Sequence, residues 1–462
     1  MASYLTDERR ARTLARGPGV IERQLRILRA HREAAAQPQS VTFGFATHEQ
    51  RKAEQLAAAL IRLGHHAEAK PATGFLAPWS SRYLDHPTWS VAARSAPLTM
   101  DEASLSQWAA AMHGLGEAHD CEFTHWRWPA PDVLALNDDY CLTVDPFDGH
   151  LDLTMYRWTA ATEAALVEHA VDCVSPRRGF GSLQALARHA HQIRKLRSPS
   201  DDVPLADLPV LHALEAIYLP SAPPAHGDYR QLPSLKTFTC LDAETLPPIS
   251  LQHPGLEQLT LHRPRKLKSL DALARCGRLQ SLELRGAPLA NLAGIDSFRH
   301  LQTLRLASSG SLSDLSALST LKALEILEIF KAPKLTSLEG VDGLTSLHWI
   351  FVHGTKASFD SFGVLKHWPQ LQSCELLLPA TQVDWDAIAA HRCVAKLMLY
   401  TQPGLALPDE AWLRTALAAQ GRHVRSVQRF PKGECAAVEV TFESPYWRLP
   451  ALPPGHGRTV VN

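Results

Sequence analysis

The feature that most constrains this chain of 462 residues is a leucine pattern that repeats over nearly half of its length. The pattern L-x-x-L-x-L recurs, and successive copies begin 21 to 24 residues apart. One step further upstream, Ile193 and Leu196 fit a degenerate first copy. A period of this size indicates short supersecondary units that bury their apolar residues only by stacking on one another. The clear copies start at Leu214, Leu235, Leu256, Leu279, Leu301, Leu324, Leu347, Leu371 and Val394.

This spacing resembles that of leucine-rich repeats, whose period is about 20–29 residues. Residues 191–402 are therefore predicted to form a solenoid in which every repeat adds one short strand to a shared parallel sheet. Side chains alternate along a strand, so Leu282 and Leu284 should point into the core while the residues between them face outward on the concave side. The predicted fold class is α/β, a leucine-rich-repeat solenoid with a parallel sheet, preceded by a ferredoxin-like βαββαβ domain.

Residues 41–128 contain the signals for that preceding domain. Strand-like and helix-like segments alternate in the order βαββαβ, and two capping boxes, Thr47 with Gln50 and Thr99 with Glu102, mark the expected helix starts. Matching capping boxes in two β-α halves predict a split βαβ, ferredoxin-like arrangement.

The segments "VTFGFATHEQRKAEQLAAALIRLGHHAE" and "GLGEAHDCEFTHW" of this domain resemble the RraB family of bacterial regulators of ribonuclease activity. Glu122, Phe123 and Trp126 match the acidic, aromatic and tryptophan positions of the closing motif of that family. The resemblance implies a small non-catalytic domain that acts by binding another protein, with a ribonuclease as one conceivable partner.

The remaining segments are predicted to flank the two domains. Residues 1–40 form a helical arm, which is either a basic targeting segment or an amphipathic helix with Ile21, Leu25 and Leu28 on its apolar stripe. Residues 129–190 are predicted to be a connector and N-terminal cap, since an uncapped repeat exposes its core. Residues 403–462 are predicted to be a C-terminal cap and tail.

Composition limits the possible partners and settings. Lys plus Arg equals Asp plus Glu at 47 each, which argues against a dedicated nucleic-acid or anionic-membrane binder. The sequence has no apolar run long enough to span a bilayer and no secretory signal. Its 8 cysteines include no C-x-x-C pair, so we expect a reduced, cytoplasmic protein.

A search for catalytic and metal-binding motifs finds little. The sequence has no phosphate-binding loop, nucleophile elbow or zinc signature, and the pairs His65–His66 and His189/His191 are better explained as surface residues than as metal ligands. We predict no cofactor and no metal. If the protein were an enzyme, Cys121 and His125 would be its candidate catalytic residues.

The outward positions of the predicted strands are the candidate binding residues. They combine charges of both signs with aromatic side chains, a composition typical of protein-interface hot spots, and mixed charge disfavours a nucleic-acid ligand. Alternatively, the protein's own termini cover some of them, or they are simply tolerated at the surface. The candidates are Tyr218, His262, Glu283, Arg285, Arg305, Glu328, Phe330, Trp349, Phe351 and His353.

These observations favour a non-enzymatic protein-binding scaffold. The leading hypothesis is a cytoplasmic bacterial inhibitor or immunity protein that blocks a toxin or nuclease, with Phe330, Trp349 and Phe351 as exposed anchors. The alternative is a leucine-rich-repeat adaptor or secreted effector that recognises a host protein. In either case the partner is a protein, with no direct contact to nucleic acid or membrane.

Overall fold

The computed structural model describes residues 38–47, 49–71, 89–127, 133–144, 151–177, 179–197, 205–222, 229–357, 362–378, 382–400, 408–432 and 435–442. The predicted arm (1–40) lies almost entirely outside the described residues, as does the predicted tail after residue 442. The described residues form two compact units. One comprises those up to Thr154 together with Ala160–Val171, and the other comprises Met155–Thr159 and those from Asp172 onward.

The first unit contains a four-stranded antiparallel sheet with strand order β2-β3-β1-β4 and two helices between the strands. The predicted βαββαβ order of elements is present, while membership of the ferredoxin-like class stays a prediction. The elements are β1 (Thr42–Thr47), α1 (Gln50–Arg62), β2 (His66–Pro71), β3 (Trp89–Arg94), α2 (Glu102–Ala118) and β4 (Glu122–Arg127).

An aromatic cluster fills the core of this small sheet. The ring of Trp108 on α2 meets those of Phe43 and Trp126 edge to face, with centroids 5.1 and 5.6 Å away. Phe45 and Phe123 complete the cluster with a centroid separation of 5.2 Å. Edge-to-face pairs add to the stabilisation that burial of the rings provides. The two aromatic residues that carry the RraB resemblance, Phe123 and Trp126, are therefore core residues.

Both predicted capping boxes are wrong. Thr47 ends β1, and its hydroxyl donates to the carbonyl oxygen of Asp120, so α1 begins without a side-chain cap. At α2 the cap is Asp101 rather than Thr99, because the Asp101 carboxylate accepts the amide hydrogen of Ser104 at 2.8 Å.

The first unit also contains a short hairpin, a further strand and a helix, which fall within the predicted connector. Strand β5 pairs antiparallel with β6. These elements are β5 (Val133–Leu136), β6 (Tyr140–Val144), β7 (Leu151–Met155) and α3 (Ala160–Glu168).

The second unit is built on the predicted repeats. Its parallel strands pair consecutively, and Leu282, Leu284 and their equivalents in other repeats are fully buried between the sheet and the opposite wall. The degenerate copy at Ile193 is a true repeat strand, and one more strand precedes it. The strands are β8 (Cys173–Pro176), β9 (Lys195–Arg197), β10 (Ala216–Leu219), β11 (Thr237–Cys240), β12 (Gln258–His262), β13 (Ser281–Arg285), β14 (Thr303–Ala307), β15 (Ile326–Ala332), β16 (Trp349–Thr355), β17 (Ser373–Leu377) and β18 (Lys396–Tyr400).

Short 3-10 helices form the wall opposite the sheet. A period of 21 to 24 residues leaves room for only one or two helical turns per repeat, a length typical of 3-10 helices. Two of these helices begin after left-handed glycines, Gly294 (φ 89°) and Gly340 (φ 93°), which pack against the preceding repeat. The helices are Leu183–His189, Leu205–Val210, Tyr229–Gln231, Pro248–Leu251, Leu270–Leu273, Ile295–Ser297, Ser316–Thr320, Val341–Gly343 and Phe362–His367.

The chain turns away from the sheet at a left-handed residue in five consecutive repeats. This position is occupied by glycine in only two of them, so an ordinary side chain adopts a positive φ in the other three. Amide hydrogens at this position reach across to a carbonyl oxygen of the next repeat, which fixes the turn. The five residues are Arg263 (φ 54°), Gly286 (φ 69°), Ser308 (φ 53°), Lys331 (φ 56°) and Gly354 (φ 71°).

The helix α4 (Trp385–Ala390) lies between β17 and β18, where the earlier repeats have a 3-10 helix. The elements that follow the last repeat strand are α5 (Glu410–Ala419), β19 (Val424–Lys432) and β20 (Cys435–Phe442). Strand β20 pairs antiparallel with both β18 and β19, so it ends the run of parallel pairs. The buried face of α5 carries Leu413 and Leu417, whereas Trp412 is 44% exposed and packs edge to face on Trp385.

Candidate protein-binding face

Three rows of side chains cross the concave face, because the parallel register places equivalent residues of neighbouring repeats side by side. We name the rows by their order along each strand. The inner row contains Gln258, Ser281, Thr303, Ile326, Trp349, Ser373 and Lys396. The middle row contains Thr260, Glu283, Arg305, Glu328, Phe351 and Glu375. The outer row contains His262, Arg285, Ala307, Phe330 and His353.

Exposure increases from the inner to the outer row. All inner-row residues are buried, whereas the outer row is half-exposed and Arg285 is exposed. The prediction that Trp349 and Phe351 are exposed anchors is therefore wrong, since they are 0% and 3% exposed. Their rings stack at 6.2 Å, and the indole nitrogen of Trp349 lies 3.4 Å from the carboxylate of Glu375. Strand alternation assigns a side chain to a face, but its neighbours decide whether it reaches solvent.

A charged network occupies the middle of the face. His262 Nε2 lies 3.5 Å from Glu283 Oε1, and Arg305 Nε lies 3.2 Å from Glu328 Oε2. Burial favours a raised pKa for Glu283, but His262 and the neighbouring arginines outweigh it and lower that pKa. Glu328 is 5% exposed, and burial raises its pKa to about 7 although Arg305 opposes this shift. These predicted binding residues are thus largely engaged with one another.

A second network fixes the last repeat. The Lys396 ammonium lies 3.2 Å from Glu375 Oε1 and 3.3 Å from Glu439 Oε2. Burial acts to lower the pKa of Lys396, yet the two carboxylates outweigh burial and raise it. Removing one partner of such a buried set leaves an uncompensated charge, so this network serves the fold rather than recognition.

The outer row holds the accessible candidates. Phe330 and His353 stack with ring centroids 5.5 Å apart, and the Lys331 ammonium lies 5.1 Å from the Phe330 ring. Arg285 is the exposed residue at the other side of this row. Tyr218, on β10, lies apart from the outer row, and its ring is 5.7 Å from the guanidinium of Arg197.

The environment of Cys121, a residue considered for catalysis, does not favour reactivity. Cys121 is 1% exposed, and burial raises the pKa of its thiol to about 12, which disfavours the nucleophilic thiolate. Among the described residues, no group of three or more His, Cys, Asp or Glu side chains is placed to hold a metal ion. Within the same ranges, no helix is long and apolar enough to cross a membrane.

Sequence reasoning missed the charged turns that follow the strands. Arg263 and Lys331 occupy the same left-handed position in two repeats, and both are exposed. The signal was present in the sequence, because aligning the repeats places both cations at the same position, Arg263 directly after β12 and Lys331 at the end of β15.

Together, the parallel register, the buried leucines and the hydrogen bonds between repeats define the second unit as a leucine-rich-repeat solenoid. No family model matches the sequence, and no curated protein matches it. Similar solved structures include an internalin from Listeria monocytogenes, at 17% identity and a TM-score of 0.37, over 52% of this chain and 70% of the internalin. A leucine-rich-repeat protein from Leptospira interrogans is similar at 17% identity and a TM-score of 0.32, over 52% of this chain and 74% of its own. These identities and TM-scores are low, so the assignment of the fold depends on the contacts within this chain.

Proposed function

We propose that this protein is a non-enzymatic scaffold that recognises another protein through the outer row of its repeat sheet. The observation that supports the proposal is the outer row itself, in which Phe330 lies beside His353 and Arg285 lies two strands away from Phe330. Arg285 is exposed, and the two rings are half-buried. Arginine and aromatic residues dominate the binding energy of protein interfaces. A repeat scaffold also holds such side chains at fixed spacing, so little ordering accompanies binding.

For its finer role we propose a leucine-rich-repeat adaptor or effector in preference to an immunity protein. The inhibitor hypothesis depended on Trp349 and Phe351 as anchors, and both are buried. It also depended on the RraB resemblance of residues 41–128, whose aromatic motif residues Phe123 and Trp126 are accounted for by core packing. A reducing, cytoplasmic setting remains our expectation and is supported by buried cysteines that form no disulfide, such as Cys276 and Cys374.

Affinity capture with the tagged full chain, from cells that express it naturally, tests this proposal. We compare the wild type with a variant carrying Arg285→Ala and Phe330→Ala. The matched control carries Arg278→Ala and Trp412→Ala, which remove the same kinds of side chain at exposed positions outside the outer row. Circular dichroism checks that all three proteins are folded.

We expect one partner that the wild type and the control retain and the outer-row variant loses by at least about tenfold, since two hot-spot residues together exceed 1.4 kcal/mol. If the outer-row variant retains the partner at the wild-type level, the proposed face is wrong.

A further inference from the structure

Exposed cations border the outer row where the chain leaves the strands. They form two groups: one follows β12, and the other lies at the end of β15 and directly after β15 and β16. We call this set the basic rim, and all its members are exposed. The basic rim consists of Arg263, Arg265, Lys266, Lys268, Lys331, Lys334 and Lys356.

The repeat geometry brings these residues to one edge of the sheet. Arg263 and Lys331 share the left-handed position, and Lys356 follows the equivalent residue Gly354 by two. Parallel strands lie about 4.8 Å apart, so the group after β12 lies roughly 14 Å from the group after β15. The rim therefore continues the surface on which Arg285 and Phe330 stand.

Local carboxylates neutralise only part of this charge. Arg263 pairs with Asp242 at 2.7 Å, and Arg265 pairs with Glu244 at 3.1 Å. Across residues 229–357, which the structure describes without a gap, the five lysines of the rim have no ion pair with an acidic side chain. A surface with excess positive charge favours association with a negatively charged partner.

We propose that the basic rim docks an acidic surface of the protein that the outer row recognises. This inference rests on the proposed function and adds the charge of the partner. The distribution of the cations favours a protein over a nucleic acid. The loops after β13 and β14 carry no lysine or arginine between residues 286 and 298 or between 306 and 321. A phosphate backbone requires positive charge along its whole track, whereas two separate acidic patches match two separate basic groups.

Labelled poly-L-glutamate, with poly(U) RNA as a second probe, tests the rim on the full chain by fluorescence anisotropy. The rim variant carries Lys331→Glu, Lys334→Glu and Lys356→Glu. The control carries Arg275→Glu, Arg278→Glu and Arg299→Glu, which change the net charge equally at exposed positions on the opposite edge of the sheet. A triple Lys→Gln variant replaces the rim variant if charge reversal prevents folding.

We expect polyglutamate to bind the wild type and the control alike and the rim variant at least about tenfold more weakly, because like charges placed together oppose association. Equal weakening in both variants would mean a response to net charge alone and would overturn the proposal. Tighter binding of RNA than of polyglutamate at the rim, or no polyglutamate binding, would also overturn it. None of these results changes the outcome of the outer-row capture experiment. The proposal of the basic rim and the proposed function can therefore be refuted independently.

Discussion

Gly340→Ala tests how tightly consecutive repeats are packed. Gly340 has φ 93°, and a Cβ there would lie 2.5 Å from the carbonyl oxygen of Leu315 and 2.7 Å from Cα of Ser316. The left-handed conformation costs alanine about 1–2 kcal/mol. The neighbours are backbone atoms that no rotamer change can move, so the overlap adds about 1–3 kcal/mol. We therefore expect the free energy of unfolding to fall by about 2–5 kcal/mol, measured by urea denaturation with circular dichroism.

Gly310→Ala is the matched control, one repeat earlier. A Cβ at Gly310 would meet no atom within 4 Å, and its φ is not positive. Alanine there should leave stability unchanged or raise it by up to about 1 kcal/mol, because it restricts the unfolded chain. If the two variants unfold within about 1 kcal/mol of each other, the account of close packing between repeats is refuted.

Two further predictions concern buried side chains. Trp349→Ala should lower the free energy of unfolding by about 3–5 kcal/mol in urea, because it empties a fully buried site. His391 donates from Nε2 to the carbonyl of Trp368 at 2.8 Å, while Nδ1 accepts the amide hydrogen of Val394. Burial lowers the pKa of His391, although the bond to Trp368 opposes this shift. The stabilisation by the neutral imidazole is fully present above the unfolded pKa of about 6.5, and stability should fall as pH drops from about 7 to about 5. His391→Leu should weaken this dependence.

Each of these predictions has its own control. Trp412→Ala removes the same side chain from an exposed site and should cost only about 1 kcal/mol, the contribution of its contact with Trp385. A Trp349→Ala protein as stable as this control would show that the inner row is not packed. For the histidine, unfolding curves of wild type and His391→Leu at each pH give the difference directly. Parallel pH profiles of the two proteins would show that His391 does not cause the pH dependence of stability.

The repeat could be predicted because the pattern of leucines within each short segment specifies its strand. A strand alternates its side chains, so the spacing between Leu282 and Leu284 already specifies which residues lie inside, and both are buried. Helix starts were less predictable, since Asp101 and Thr99 are both reasonable caps and only the folded geometry selects the first. Strands β5 and β8 have no periodic pattern that separates them from the connector around them.

The candidate site was predicted as a set of positions but not as a surface. The outward direction of Trp349 follows from its place in the strand, but its complete burial depends on Phe351, Glu375 and other neighbours that strand alternation does not consider. The ion pair between Arg305 and Glu328 likewise forms between residues of different repeats, 3.2 Å apart. Properties that depend on contacts between neighbouring repeats are the ones that strand alternation alone could not supply.

The antiparallel pairing of β20 with β18 has a consequence for how the protein is made. The ribosome completes β18 at Tyr400 and then builds α5 and β19 before it reaches Cys435, where β20 begins. Repeats can stack one by one as they emerge, because each contacts only its neighbours. The edge of β18 nevertheless stays open until β20 has been synthesised, and an open strand edge is a template for pairing with another chain. The nascent chain therefore remains open to pairing with another chain at this edge until Cys435–Phe442 has been synthesised.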